Sequence, residues 1–144
     1  MRRGFGIVEL LMVIAIIGLL TVFSMPLLSN YQKTTKLNSE ARILATNLRY
    51  AQQLAISQQN VFNIVFIPVS NSYQIVNSST NQLIKEVAMD SEVSISTITS
   101  LVNDTVQFTP TGATIQPGSV SLTNSRHQTL TVNIKASGYV EITE

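Results

Sequence analysis

The sequence contains no cysteine and no tryptophan, a single histidine, and only two aspartates, Asp90 and Asp104. The missing cysteines exclude disulfides, thiolate nucleophiles and thiolate metal sites together. Charged residues make up 12% of the chain, about half the usual share. Catalytic patterns are missing as well. There is no H-E-x-x-H, no glycine-rich phosphate loop and no nucleophile elbow. The residue types of a Ser-His-Asp triad are present in number. The one histidine, His127, lies in the short polar segment SRH, where an exposed turn residue is the expectation. The composition calls for no cofactor and no metal, and it does not read as an enzyme. The triplets NSS at Asn77 and NDT at Asn103 match the glycosylation pattern, as expected by chance in a chain rich in Ser and Asn.

What the chain does have is unevenly spread. From Leu10 to Leu28 run nineteen residues without a charge, roughly 28 Å as a helix and close to the hydrocarbon thickness of a bilayer. Arg2 and Arg3 precede the run, so the positive-inside rule keeps the N-terminus in the cytoplasm and puts the remainder outside. A cleaved secretory signal would have a shorter apolar core and a small-residue cleavage site after it; residues 26–36 contain none. A plain membrane anchor accounts for the length but not for Glu9, because a carboxylate in lipid costs about 2.5 kcal/mol or more and is normally partnered.

Basic residues, Gly4, Phe5, three residues, Glu9, then an unbroken apolar run: this order resembles the class III signal of type IV pilins and type II secretion pseudopilins. The resemblance implies that a prepilin peptidase cuts between Gly4 and Phe5 and methylates Phe5. It places Glu9 at the fifth position of the mature chain, where the family's glutamate pairs with the N-terminal ammonium of a neighbouring subunit. It also implies that Gly18 and Pro26 bracket a stretch that bends in assembled filaments, in keeping with a lost hydrogen bond at Pro and low helix propensity at Gly. Gly6 departs from the family, which more often has Ser or Thr there. The implied partners are other pilin subunits, the peptidase, an inner-membrane assembly platform and the cytoplasmic membrane.

Beyond the run the period is helical. Leu37, Ala41, Leu44, Leu48, Ala51 and Ala55 fall on one stripe, which predicts an amphipathic helix packed on a following sheet. Lys36 and Glu40 are spaced to pair along it, and Asn60 is the expected terminator. The period then changes to two. Strands are expected at 61–69, 73–76, 83–88, 93–98 and 105–109. After the loop PTGATIQPG, SVSLTN, QTLTVNIK and YVEIT form a closing meander. The change of period makes the fold class α+β, and the resemblance implies a type IV pilin-like fold: one long N-terminal helix, half membranous and half amphipathic, on a mostly antiparallel β domain. Its parts are a leader at 1–4, a membrane and filament-core helix at 5–30, an amphipathic half at 31–59 and a β-rich extracytoplasmic head at 60–144.

Softer patterns refine the family. LRYAQQLAISQQ near the helix end, and VQFTPTGATIQPGSVSLTNSRHQTLTVNIKASGYVEI with its phenylalanine strand, its P-T-G loop, a strand ending near polar turn residues, a β-branched strand and Ser137-Gly138 before the last short strand, resemble the H-type minor pseudopilins and FimT-type minor pilins, the GspH/FimT group. That implies a structural subunit of a type II secretion pseudopilus or a type IV pilus; the N-terminal device is common to both. The major pseudopilins, associated with a calcium site near the C-terminus, are a poorer match, for no carboxylate cluster stands in the last third. The alternative is a DNA-binding or competence minor pilin. From Asn60 onward Lys85, Arg126 and Lys135 face Glu86, Asp90, Glu92, Asp104, Glu141 and Glu144, an acid excess that argues against phosphate contacts.

Overall fold

The computed structural model describes residues 6–144, the side chains of residues 22–29 excepted. The described residues form one α-helix and eight strands, and the chain divides into two compact units, one ending at Gln32 and the other spanning Lys33–Glu144. Helix α1 runs over Ile7–Gln58, and the first unit contains no strand among its described residues. In the second unit the stripe read from the sequence is buried: Leu37, Ala41, Leu44, Leu48, Ala51 and Ala55 are each 2% exposed or less. Each leucine so buried contributes about 1.5–3 kcal/mol relative to exposure.

The helix end differs in one residue from expectation. Gln59, not Asn60, takes the left-handed conformation, with φ of 50°. Asn60 follows it and donates its backbone N–H to Ala55 O at 3.2 Å. This is the six-to-one bond of a Schellman end, which puts the strained residue one place earlier. Asn60 still ends the helix by another route: its Oδ1 accepts the Val61 N–H at 2.8 Å and turns the chain into the first strand.

The strands form two four-stranded sheets within the second unit. In the first, β1 (Phe62–Ile67), β2 (Ser72–Asn77), β3 (Leu83–Ala88) and β5 (Thr105–Phe108) are ordered β3-β2-β1-β5. In the second, β4 (Val93–Thr99), β6 (Gly118–Asn124), β7 (Thr129–Ile134) and β8 (Val140–Thr143) are ordered β4-β6-β7-β8. Every pairing is antiparallel, and β6-β7-β8 is the expected meander. The chain passes from β3 of the first sheet to β4 of the second, and Asn71, between β1 and β2, fastens β4 in place. That side chain donates to Val93 O at 2.6 Å and accepts the Ile95 N–H at 3.2 Å, standing in for a strand neighbour. Pro68 does not extend β1; it opens a 3-10 turn over Pro68–Ser70, as its fixed φ and missing N–H favour.

Strict alternation builds the core. Phe62, Ile64 and Phe66 of β1, Val106 and Phe108 of β5, Val120 and Leu122 of β6, and Val132 and Ile134 of β7 are buried with the helix stripe in one cluster. Asn47 is among the buried polar residues: its Nδ2 donates to Tyr73 Oη at 2.6 Å, and Lys85 Nζ donates to its Oδ1 at 3.0 Å. Burial pushes the Tyr73 phenol up to about 12, against the opposing Asn47 hydrogen bond. Lys36 does not pair with Glu40. It reaches Asp90 at 3.0 Å, while Glu40 accepts the Asp90 backbone N–H. Cross-element partners outcompete the weak one-turn pair because they also satisfy the loop after β3.

Candidate assembly surface

The described N-terminal part of α1 has the opposite character to its C-terminal part. Residues 6–21 are all exposed, among them Ile7 at 79%, Val8 at 77%, Leu11 at 60% and Leu19 at 62%. A helix that is apolar on every side is stable only when something apolar surrounds it. Among the described residues no helix is long and apolar enough to cross a membrane; the described side chains of this run stop at Thr21, and those of 22–29 lie outside the description.

Gly6 caps the helix. Its carbonyl accepts the N–H groups of Glu9 at 3.0 Å and Leu10 at 3.2 Å. Glu9 therefore sits in the first turn, where a carboxylate is favoured by the helix dipole. It is exposed. Gly18 lies within the helix with nothing within 4 Å of the place a Cβ would take, so no neighbour in this chain requires a glycine there. Gly4 and Phe5 lie outside the described residues. Pro26 falls within the bounds of α1, but its side chain is likewise outside the description.

Three of the softer sequence patterns meet at one point on the second unit. Gln52, in LRYAQQ, donates its Nε2 to Gly112 O at 2.6 Å. Gly112, of P-T-G, has φ of 83°, and a Cβ there would stand 2.8 Å from Ile56 Cδ1. Gly138, of S-G, has φ of 79°, and a Cβ there would collide with Gly112 O and the Gln52 amide. Two left-handed glycines thus let two loops close over one glutamine of the helix. Arg49, one turn earlier, donates to Val140 O at 3.1 Å and ties down the start of β8. The sequence contained every member of this junction but no signal that they touch.

The head's charges are largely engaged. Lys33 lies 3.8 Å from Glu92, and Lys135 lies 2.8 Å from Glu141. The Lys135 ammonium is held above its ordinary range, chiefly by its hydrogen bond to Glu141. Asp90 is held below the usual carboxylate range, first by the Glu92 backbone N–H and then by Lys36. Of the three cations from Asn60 onward, Lys85 bonds to Asn47 of α1, Lys135 pairs with Glu141, and Arg126 stands in the exposed turn beside His127. No group of acidic residues and histidine fit to hold a metal occurs among the described residues.

No curated protein matches the sequence. Among solved structures the fold is similar to the type IV minor pilin FimU of Pseudomonas aeruginosa, at 13% identity over 79% of this chain and 92% of that one, with a TM-score of 0.63. It is equally similar to the minor pseudopilin EpsH of the Vibrio cholerae type II secretion system, in two structures. One matches at 9% identity over 75% of this chain and 96% of that one, TM-score 0.63. The other matches at 8% identity over 75% and 93%, TM-score 0.64. The family model of the type II transport protein GspH matches residues 40–138, most of the chain and the whole glutamine–glycine junction, and the chain therefore belongs to the GspH family.

Proposed function

We propose that the protein is a minor structural subunit of a pseudopilus or type IV pilus, made as a precursor and drawn into the filament by its N-terminal helix. The observation that carries this reading is the contrast along α1: apolar on all sides over 6–21, with one carboxylate in its first turn, then one-sided and buried from Leu37. Such a helix needs two environments in succession, a bilayer and the packed core of a filament. The run Leu10–Leu28 crosses the cytoplasmic membrane once, with the N-terminus inside and the head outside. A prepilin peptidase cuts between Gly4 and Phe5 and methylates Phe5, and an inner-membrane platform then extracts the subunit. Gly18 and Pro26 give the helix its points of bending. Glu9 pairs with the Phe5 ammonium of an adjacent subunit when both enter a low-dielectric core, where an unpaired carboxylate is costly. The work is structural: no step of it makes or breaks a bond in a substrate.

Intact-mass measurement of the membrane-bound chain tests the first step. In cells with an active prepilin peptidase the wild type loses Met1–Gly4, and Gly4→Leu keeps them, because the cut needs a small residue on its leader side. A wild-type chain that retains Met1–Gly4 contradicts the reading.

A further inference from the structure

The outer edges of the two sheets stand on opposite flanks of α1. Strand β3 is outermost in the first sheet and β8 in the second. Lys85 of β3 reaches the helix at Asn47, and Val140 of β8 accepts from Arg49. Two positions along an α-helix are about 200° apart, so the helix meets one edge on each side. Beside β3 lies a groove of about 290 Å³, lined by Ser39, Arg42, Ile43, Thr46 and Asn47 of α1 and by Lys85. Its charge is of one sign: Arg42 and Lys85 are the charged residues of the lining, and no ion pair engages either among the described residues. The neighbouring acids turn elsewhere. Glu86 accepts from Gln74 at 3.3 Å, and Glu40 accepts the Asp90 N–H. Asn47, buried and bonded to the buried Tyr73, holds the Lys85 ammonium in place; of its three N–H donors two remain for a ligand. Ile43 in the groove is 41% exposed and Leu83 at the start of β3 is 49% exposed.

The other flank carries the complementary chemistry. Ile142, near the end of β8, is 37% exposed. Glu144, two positions on, is exposed, and no ion pair engages it among the described residues. An edge strand is a template for another chain, and a lysine on it repels a second copy of the same edge. Two β3 edges would set lysine against lysine, whereas β3 against the end of β8 sets two cations against a carboxylate. We propose that the groove receives a second copy of this chain, with the partner copy's Ile142–Glu144 along the edge of β3, its Glu144 between Arg42 and Lys85, and its Ile142 against Ile43 and Leu83. The contact is heterologous: each copy keeps a β8 end on one flank and a groove on the other, so the same contact repeats from copy to copy. It rests on the filament reading for the side-by-side setting of the heads.

The chain has no cysteine, so introduced thiols report the contact. Two differently tagged full-length chains, one Leu83→Cys and one Ile142→Cys, are co-expressed and oxidised, and the disulfide-linked products are quantified. The product joining positions 83 and 142 should exceed both like-with-like products, and the product of Ile142→Cys with Val69→Cys in a fully exposed turn, by about fivefold or more. Arg42→Glu in the Leu83→Cys copy should lower it about fivefold, the effect of reversing an exposed ion pair. Glu144→Arg in the Ile142→Cys copy should do the same, and the two reversals together should restore it. A yield no higher than the controls, a yield unmoved by either reversal, or a double reversal without recovery would overturn the proposal. The product is measured in whichever fraction holds the chain, which separates the two readings. A chain absent from the membrane contradicts the reading of α1; a membrane-held chain cross-linked only at the control level overturns this contact alone.

Discussion

Glycines in this chain do opposite things, and the structure separates them. Gly112 and Gly138 have positive φ and no room for a side chain, whereas Gly18 is helical and open on all sides. Gly138→Ala should therefore cost at least about 2 kcal/mol, from left-handed strain plus a collision with Gly112 O and the Gln52 amide. Gly18→Ala should leave the thermal melt of the head unchanged. A thermal melt of each variant checks both; a Gly138→Ala protein as stable as wild type would show that the two loops do not close over Gln52. The P-T-G and S-G patterns are readable in the sequence as turns. Their meeting was not, because a contact between Gly112 and Gly138 across Gln52 depends on the register of two loops and a helix.

At the scale of the element, the helix was the most legible part. The six positions of its stripe, Leu37 to Ala55, recur at helical spacing and each of them is buried, since a period sustained over five turns has a single structural solution. The strands were legible to within one or two residues, for alternation marks β1, β5, β6 and β7 plainly. Their division into two sheets was not. Nothing in the sequence of β4 distinguishes it from its neighbours; Asn71, a turn residue more than twenty positions away, fastens it by bonding to Val93 and Ile95. The pairing of Lys36 was misread for the same reason, its partner Asp90 being distant in sequence. Leu48 is fully buried, so Leu48→Asp should unfold a fragment comprising residues 31–144, as expected when a carboxylate is forced unpaired into a core. Circular dichroism of that fragment checks it. A melt unmoved by Leu48→Asp would mean that the stripe does not pack on the sheets.

For the molecule as a whole, one family fold carries two kinds of surface. The second unit folds around its own core and holds three ion pairs, Lys33–Glu92, Lys36–Asp90 and Lys135–Glu141; the described N-terminal turns of α1 are apolar and exposed. The GspH match covers the former and leaves residues 1–39 outside it, so the N-terminal reading rests on the chemistry of a carboxylate at the head of an apolar helix. Its central claim is that Glu9 serves entry into a filament rather than membrane insertion or cleavage. Co-expression of Glu9→Val with partner pilins, followed by quantification of the subunit in sheared filaments, tests this directly. The account predicts a cleaved, membrane-held chain whose incorporation falls well below that of the wild type; incorporation equal to the wild type, with cleavage confirmed by intact mass, would contradict it.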